Sequence, residues 1–284
     1  MMRRLLRDRL DRRHLEHAVA LTADELQRPA VVLAPHPDDE TLGCGGLIAM
    51  KRDLGVDVTV VFMTDGARSH AHLVDATELI RRRRDEAAAA CAVLGVEPTA
   101  VHHLEIGDGE LSNSAERAIA ALEPLLQNSF ERQLIVPHPG ESPLDHRATF
   151  DVAAETLRRS GHTMDALAYP VWMWDQFPFT NPLSAPRERH SVPSIVRTSA
   201  RDRLGWRIPT LLTRSVDVSS VLDRKRRALQ EHASQMTRQD GTSDWLTLED
   251  IAGGDWLERL LRPNEFYADC TVGAGHGPGG QGRG

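Results

Sequence analysis

The chain has 284 residues, of which 40% are hydrophobic, and carries a formal net charge of −7. That length suits one large α/β domain or a domain with an appended element, and the acidic balance disfavours general binding to nucleic acid or to an anionic membrane. No apolar run is long enough to span a bilayer, the N-terminus lacks a secretory leader pattern, and the cysteines Cys44, Cys91 and Cys270 form no CxxC pair, so a cytoplasmic location is expected.

Leu5 to Leu26 carries leucines at helical spacing and predicts an N-terminal helix that packs on the domain; its first part, Met1 to Arg13, holds six arginines and two aspartates. Ala30 to Ala34 is the first strand and Thr41 to Leu54 a helix ending near Gly55. Val56 to Met63 is a β-branched strand that stops at Thr64-Asp65-Gly66. Leu79 to Leu94 is a helix closed by Gly95, and Val101 to Leu104 a short strand before the loop Ile106-Gly107-Asp108-Gly109. Helices follow at Ala115 to Gln127 and Arg147 to Ser160, around a strand at Gln133 to Pro137. A further strand at Ala166 to Val171 and a helix at Asp223 to Thr237 complete the expected elements, and the tail from Gly273 reads as disordered. Strands alternating with helices over short links predict a Rossmann-like α/β fold: a mostly parallel sheet, helices on both faces, and a C-terminal extension over the site. Lysine occurs only at Lys51 and Lys225, which reads as coding bias.

The most informative stretch is Val31-Val32-Leu33-Ala34-Pro35-His36-Pro37-Asp38-Asp39-Glu40. A buried strand ends in one histidine and three carboxylates, at the end of a parallel strand where ligands collect. Thr64 to Arg68 and Pro137 to His146 fall at equivalent ends. Zinc takes histidine nitrogen and carboxylate oxygen, and a catalytic site keeps an open position for water. His36 and Asp39 are three apart across a strand-to-helix turn and face one point; Asp38 between them is placed to take a proton from water, and His146, beside Asp145, is the distant third ligand. The bland reading makes Asp38 a helix cap and His36 a structural histidine, but four such groups in sequence argue against it.

These residues carry a resemblance to the PIG-L/LmbE family of zinc-dependent deacetylases that act on N-acetylglucosamine-type sugars. Arg83-Arg84-Asp85-Glu86 through Leu94-Gly95-Val96 is similar to the family's R-x-x-E helix, Gly107-Asp108-Gly109-Glu110-Leu111 to its D-G-x-L loop, and Asp145-His146-Arg147-Ala148-Thr149 to its DHRAT form. Tyr169-Pro170-Val171-Trp172 and His232-Ala233-Ser234-Gln235 resemble elements of members found near glycosyltransferases. The resemblance spans roughly Val31 to Tyr267. It implies that His36, Asp39 and His146 bind zinc, that Asp38 is the general base, that Arg68 and Asp108 face the sugar hydroxyls, and that Asp145 positions a neighbouring group. Iron or cobalt would suit the same donors.

One departure stands out. The family reads H-P-D-H at the third-ligand site, where this chain reads Pro143-Leu144-Asp145-His146. The resemblance implies that the absent histidine would support the transition state, a role whose loss costs about 10²–10³ in rate. His138 and His232 are the candidates to replace it, against the plain alternatives of an idle loop histidine and a solvated position on a charged helix.

Other features take the bland reading. Arg81 to Arg84 is a solvated helix face with one internal ion pair rather than a nucleic-acid patch. Gly43-Cys44-Gly45-Gly46 follows HPDDE rather than the strand itself, so it allows close helix packing rather than forming an S-adenosylmethionine loop. Cys44 is a small core residue, His70 and His72 lack a third ligand, and His102-His103 has no chemistry. Of the aromatics Trp172, Trp174, Phe177 and Phe179, most are core anchors and one is placed to stack on a sugar.

The expected organisation is an N-terminal helix (1–28), a deacetylase domain (29–270) and a Gly-rich tail (271–284). The expected partner is a small-molecule amino sugar, with no nucleic acid and no membrane span; a homo-oligomer is admitted. The rival readings are a non-catalytic metal or sugar binder of the same fold and an S-adenosylmethionine-dependent methyltransferase.

Overall fold

Val31-Val32-Leu33 and Val60-Val61-Phe62-Met63 present apolar side chains to both sides of the pleat, as a strand covered on both faces requires. The computed structural model places both as adjacent interior strands of one eight-stranded sheet. It describes residues 2–70, 72–127, 131–181, 192–238 and 244–273. The Gly-rich tail beyond Gly273 lies outside the described residues.

In chain order the elements are α1 (Met2–His17), β1 (Val19–Ala20), α2 (Ala23–Gln27), β2 (Ala30–Ala34), α3 (Asp39–Asp53), β3 (Val58–Thr64), α4 (Ala76–Leu94), β4 (Val101–Ile106) and α5 (Ala115–Gln127). There follow β5 (Gln133–Pro137), α6 (Leu144–Ser160), β6 (Thr163–Tyr169), α7 (Val192–Arg201), α8 (Ile208–Leu211), β7 (Arg214–Asp217), α9 (Leu222–Glu231), α10 (Ala233–Met236), α11 (Asp255–Leu260) and β8 (Asn264–Gly273). The strand order is β1-β7-β8-β6-β5-β2-β3-β4. All pairings are parallel except those of β8, which runs antiparallel to β6 and β7. Alternate residues of β2 enter different cores: Val32 and Ala34 join the apolar cluster of α3 and α4, and Val31 and Leu33 that of α5 and α6. Among the described residues no helix is long and apolar enough to cross a membrane.

The parallel α/β expectation holds, and the differences have local causes. The expected N-terminal helix is two helices and a strand. Thr22 ends the run: its side chain accepts from the Glu25 N–H while the Glu25 carboxylate accepts from the Thr22 N–H, a capping box that starts α2. β8 extends to Gly273, three residues into the segment expected as tail. The helix expected at Asp223 to Thr237 breaks at His232, which separates α9 from α10. α6 begins at Leu144 rather than Arg147, and this puts Asp145 and His146 on its first turn.

The two lysines have more specific employment than coding bias suggests. Both are fully buried. Lys51 Nζ donates to the Glu25 and Arg28 carbonyls at 2.7 and 2.8 Å, closing the end of α2. Lys225 Nζ donates to Glu265 Oε1 at 2.7 Å and the Leu42 carbonyl at 3.0 Å. The Glu265 carboxylate in turn accepts the Gly46 and Leu47 N–H groups at 2.8 and 2.9 Å, which are freed where α3 kinks at Cys44. The glycines there are needed for approach: a Cβ on Gly43 would stand 2.2 Å from Tyr169 Cδ2, and one on Gly46 2.5 Å from Val218 Cγ1.

α1 packs on the domain through His14, which stacks on Phe266 at 3.7 Å between ring centroids and hydrogen-bonds the Leu212 carbonyl through Nε2 at 2.8 Å. Burial pushes His14 down from 6.5 to about 4. Between those values the unfolded chain binds the extra proton, so stability falls as pH falls through this window, by on the order of 3 kcal/mol. Urea unfolding midpoints followed from about pH 7 to about pH 4 should therefore decline less for His14→Gln than for the native chain; equal declines would rule out His14 as a source of acid sensitivity.

Candidate active site and metal centre

The chain turns outward from β2 through Pro35-His36-Pro37 and enters α3 at Asp39. Because β3 and β4 continue on one side of β2 while β5 and β6 lie on the other, the carboxyl end of β2 is the switch point where an open α/β sheet forms a crevice. His36, Asp38 and Asp39 follow β2; His138, Glu141, Asp145 and His146 follow β5 beside it; Arg68 and Asp108 follow β3 and β4.

Asp38 does not cap α3. It has φ 139° and ψ −27° and its side chain makes no capping bond. Such a conformation in a non-glycine residue costs about 1–3 kcal/mol and is concentrated at functional sites. Asp38 lines a cavity of about 660 Å³ together with His36, Asp39, Arg68, Asp108 and Pro143.

His36, Asp39 and His146 each bring one donor atom within 4.8 Å of the others. His36 Nδ1 is 3.2 Å from Asp39 Oδ2, and His146 Nε2 is 3.2 Å from the same oxygen. His146 is fully buried, and its ring nitrogens face Asp39 Oδ2 and Glu141 Oε2 at 3.2 and 3.1 Å without the alignment of a good hydrogen bond. Poorly bonded buried nitrogens are costly, and a divalent cation between His146, His36 and Asp39 would satisfy the inner one. The donors suit zinc: two imidazoles and a carboxylate. A second trio, His36, Asp108 and Asp145, lies equally close; like Asp39, which accepts the His36 N–H at 3.0 Å, its carboxylates also serve backbone N–H groups. Asp145 accepts from Gly109 N at 2.7 Å and Leu111 N at 3.3 Å, and Asp108 accepts from Arg68 N at 3.0 Å. These bonds hold the D-G-x-L loop against α6 and against the Arg68 turn.

Glu141 escaped the sequence reading. It is 1% exposed, and its carboxylate accepts the N–H groups of Val171, Trp172 and Met173 at 3.1, 2.8 and 2.9 Å. It also lies 3.1 Å from His146 Nδ1, the placement of a carboxylate that orients a metal-binding histidine. A lone glutamate in a Gly-Glu-Ser-Pro loop gives no sequence signal, because its partners are about thirty residues away.

The charges follow from this packing. Burial, with the adjacent Asp39 carboxylate, raises Asp38 to about 7, against partial opposition from His232 and His36. Burial alone would also raise Asp39, but His146 and His36 hold it well below the usual carboxylate range. Burial would lower His146, but Asp39 and Glu141 outweigh it and lift the ring to about 9.

Neither histidine expected to replace the missing family residue is among the described residues lining the cavity. His138 Nδ1 accepts from the Gly140 N–H at 2.9 Å. His232 is fully buried, not solvated, because the helix breaks there and turns the ring inward onto Glu40 Oε1 at 2.9 Å. Pro143 occupies the cavity wall. Arg83 was expected on a solvated face but is 3% exposed, donating to the Gly66 carbonyl and, at 2.8 Å, to Ser69 Oγ; Arg81 keeps the exposed pairing with Glu78 and Asp85. Trp172 reaches the cavity, whereas Trp174 and Phe179 are core residues. His70 stacks on Trp245 at 4.2 Å, and the exposed His72 lines the cavity rim. The C-terminal segment adds Asp244, Leu246, Leu248 and Trp256 to the wall, as expected for an extension over the site.

Comparison with known proteins agrees with this geometry. The family profile described as PIG-L, GlcNAc-PI de-N-acetylase, matches residues 31–157. The chain is 30% identical over 278 residues to the 1D-myo-inositol 2-acetamido-2-deoxy-alpha-D-glucopyranoside deacetylase of Actinosynnema mirum, covering 82% of this chain and 88% of the relative. It is 27% identical over 214 residues to the diacetylchitobiose deacetylase of Thermococcus kodakarensis, covering 73% and 70%. Among solved structures, the N,N'-diacetylchitobiose deacetylase from Pyrococcus horikoshii shares the fold with a TM-score of 0.59 at 21% identity, over 86% of this chain and 84% of that one.

Proposed function

Because this chain belongs to the PIG-L family of de-N-acetylases, we propose that it is a metal-dependent hydrolase removing the N-acetyl group from an N-acetylglucosamine-type sugar within a glycoconjugate or secondary-metabolite intermediate. The observation that carries this reading is the His36, Asp39 and His146 trio, whose donor atoms lie within 4.8 Å of one another, set beside a carboxyl group raised to about 7. His36, Asp39 and His146 would hold the cation, zinc by the donor set, with other divalent ions accommodated. When bound, it supplies Lewis acidity to the acetamide carbonyl.

The chain's own residues supply the rest. Asp38 takes a proton from the attacking water and returns it to the departing amine, two tasks that suit a carboxyl group titrating near neutrality. Arg68 and Asp108 line the cavity where sugar hydroxyls would bind. Asp145 and Glu141 fix the loops and His146. The three unpaired cysteines support a cytoplasmic setting.

A non-catalytic binder is not favoured, since the relatives are named as deacetylases. A methyltransferase is not favoured either, since Gly43 and Gly46 are committed to packing against Tyr169 and Val218.

The test is acetate release from a panel of N-acetylglucosamine derivatives by metal-loaded protein. Chelator-sensitive release from at least one derivative supports the reading; none from any member, with metal bound, opposes it. Trp172 lines the cavity at the edge of the apolar wall. On the favoured derivative, Trp172→Ala should raise KM roughly tenfold, equivalent to about 1.4 kcal/mol, with kcat little changed. An unchanged KM would exclude Trp172 from the sugar.

A further inference from the structure

We propose that the segment His232 to Gln235 is a positioning clamp that holds the catalytic turn in its strained shape; the assignment of that turn as catalytic rests on the function proposed above. Asp38 stands at φ 139°. A backbone in such a region persists only where its surroundings over-determine it; beside the turn's own bonds, in which the Asp38 carbonyl accepts from the Thr41 and Leu42 N–H groups, this segment holds the turn from outside. The Asp38 N–H donates to Glu40 Oε2 at 3.0 Å. The other oxygen of that carboxylate is held by His232 Nε2 at 2.9 Å and by Thr41 Oγ1 at 2.5 Å. Gln235 Nε2 donates to the Pro37 carbonyl at 2.5 Å. Pro37, Asp38 and Glu40 are thus fixed from one side by two side chains nearly two hundred residues later in the chain.

The clamp is itself anchored. Ser234 donates through N and Oγ to the two oxygens of Glu86 on α4, at 2.8 and 2.7 Å, and Trp245 Nε1 donates to the Ser234 carbonyl at 2.9 Å. The break between α9 and α10 at His232 is what presents His232, Ser234 and Gln235 to three different partners at once. His232 and Glu40 are 0% exposed, and Gln235 7%. An ordinary core hydrogen bond would stabilise the fold and nothing more. These bonds end on Pro37, just before Asp38, and on Glu40, which accepts the Asp38 N–H, so their loss should move the base relative to the cavity. A displacement of about 1 Å costs about 10² in rate.

His232→Leu removes one of the two side-chain donors to Glu40 Oε1 and leaves Thr41 Oγ1, and His232→Gln returns an amide donor near the position of Nε2. We expect His232→Leu to lower kcat about 10²-fold with KM and bound metal close to native, and His232→Gln to recover most of the loss. In metal-free protein, amide exchange in the peptide spanning residues 36–42 should be roughly tenfold faster in His232→Leu, with β3 and β5 unchanged. Should His232→Leu fail to fold, Gln235→Met, which removes only the bond to Pro37, decides by the same readouts. Because Gln235 also lines the cavity, a rise in KM alone would mark a substrate contact and count against the clamp. Native kcat and native exchange in the folded variants would overturn the proposal. If the unsubstituted protein releases no acetate, the functional reading fails, and the exchange comparison still decides whether the segment clamps the turn.

Discussion

Asp38→Asn is expected to lower kcat by about 10³-fold, within the range for loss of a general base, with the metal content unchanged. Asparagine keeps the shape and tolerates positive φ better than most residues, so the strained turn survives and the carboxylate chemistry alone is removed. The native group is raised to about 7 by burial and by Asp39 next to it; near neutrality a substantial fraction is ionised as base, and the protonated form is a usable acid. Asp38 is not one of the three donors gathered around the candidate cation position, which is why metal binding should persist. Single-turnover rates together with metal analysis check this: a variant at native kcat would refute Asp38 as the base, and a variant without metal would make it a ligand.

Glu141→Ala should have the second largest effect. It strands three buried N–H groups, of Val171, Trp172 and Met173, and leaves His146 without its orienting carboxylate. Hydrogen bonds to a charged group are worth about 1.5–3 kcal/mol each, and partial relaxation of the loop brings the expected loss to about 3–5 kcal/mol. Metal affinity should fall about 10–100-fold, as for other groups that support a liganding histidine. Urea denaturation and competition with a zinc chelator measure the two effects separately. Glu141→Gln, which keeps one acceptor oxygen, should lie between. Native stability and affinity in the alanine variant would show that the loop and His146 are held by something else.

The parallel sheet was legible because β2, β3 and β5 are covered on both faces and so read as unbroken apolar runs. β8 was not: Asn264–Gly273 mixes charged and apolar residues, as suits an antiparallel strand exposed over part of its length. The break before α2 is signalled by Thr22 and Glu25, whose capping box outweighs the leucine spacing. At the site, His36 to Glu40 announced itself because its chemistry is concentrated within five residues. Glu141, Lys225 and Glu265 did not, since each acts on groups distant in sequence: Glu265 meets Gly46 across 219 positions. His232 was misplaced for a related reason. Its neighbours in sequence are charged, and only the helix break turns it inward.

The most direct test is to titrate the metal-free protein with zinc while following acetate release from the best N-acetylglucosamine derivative. Release that rises to a plateau near one ion per chain, disappears with a chelator, and is lost in His146→Ala would bear out metal-dependent deacetylation on the His36, Asp39 and His146 constellation. Release that proceeds at full rate in the chelated protein, or in His146→Ala, would contradict it.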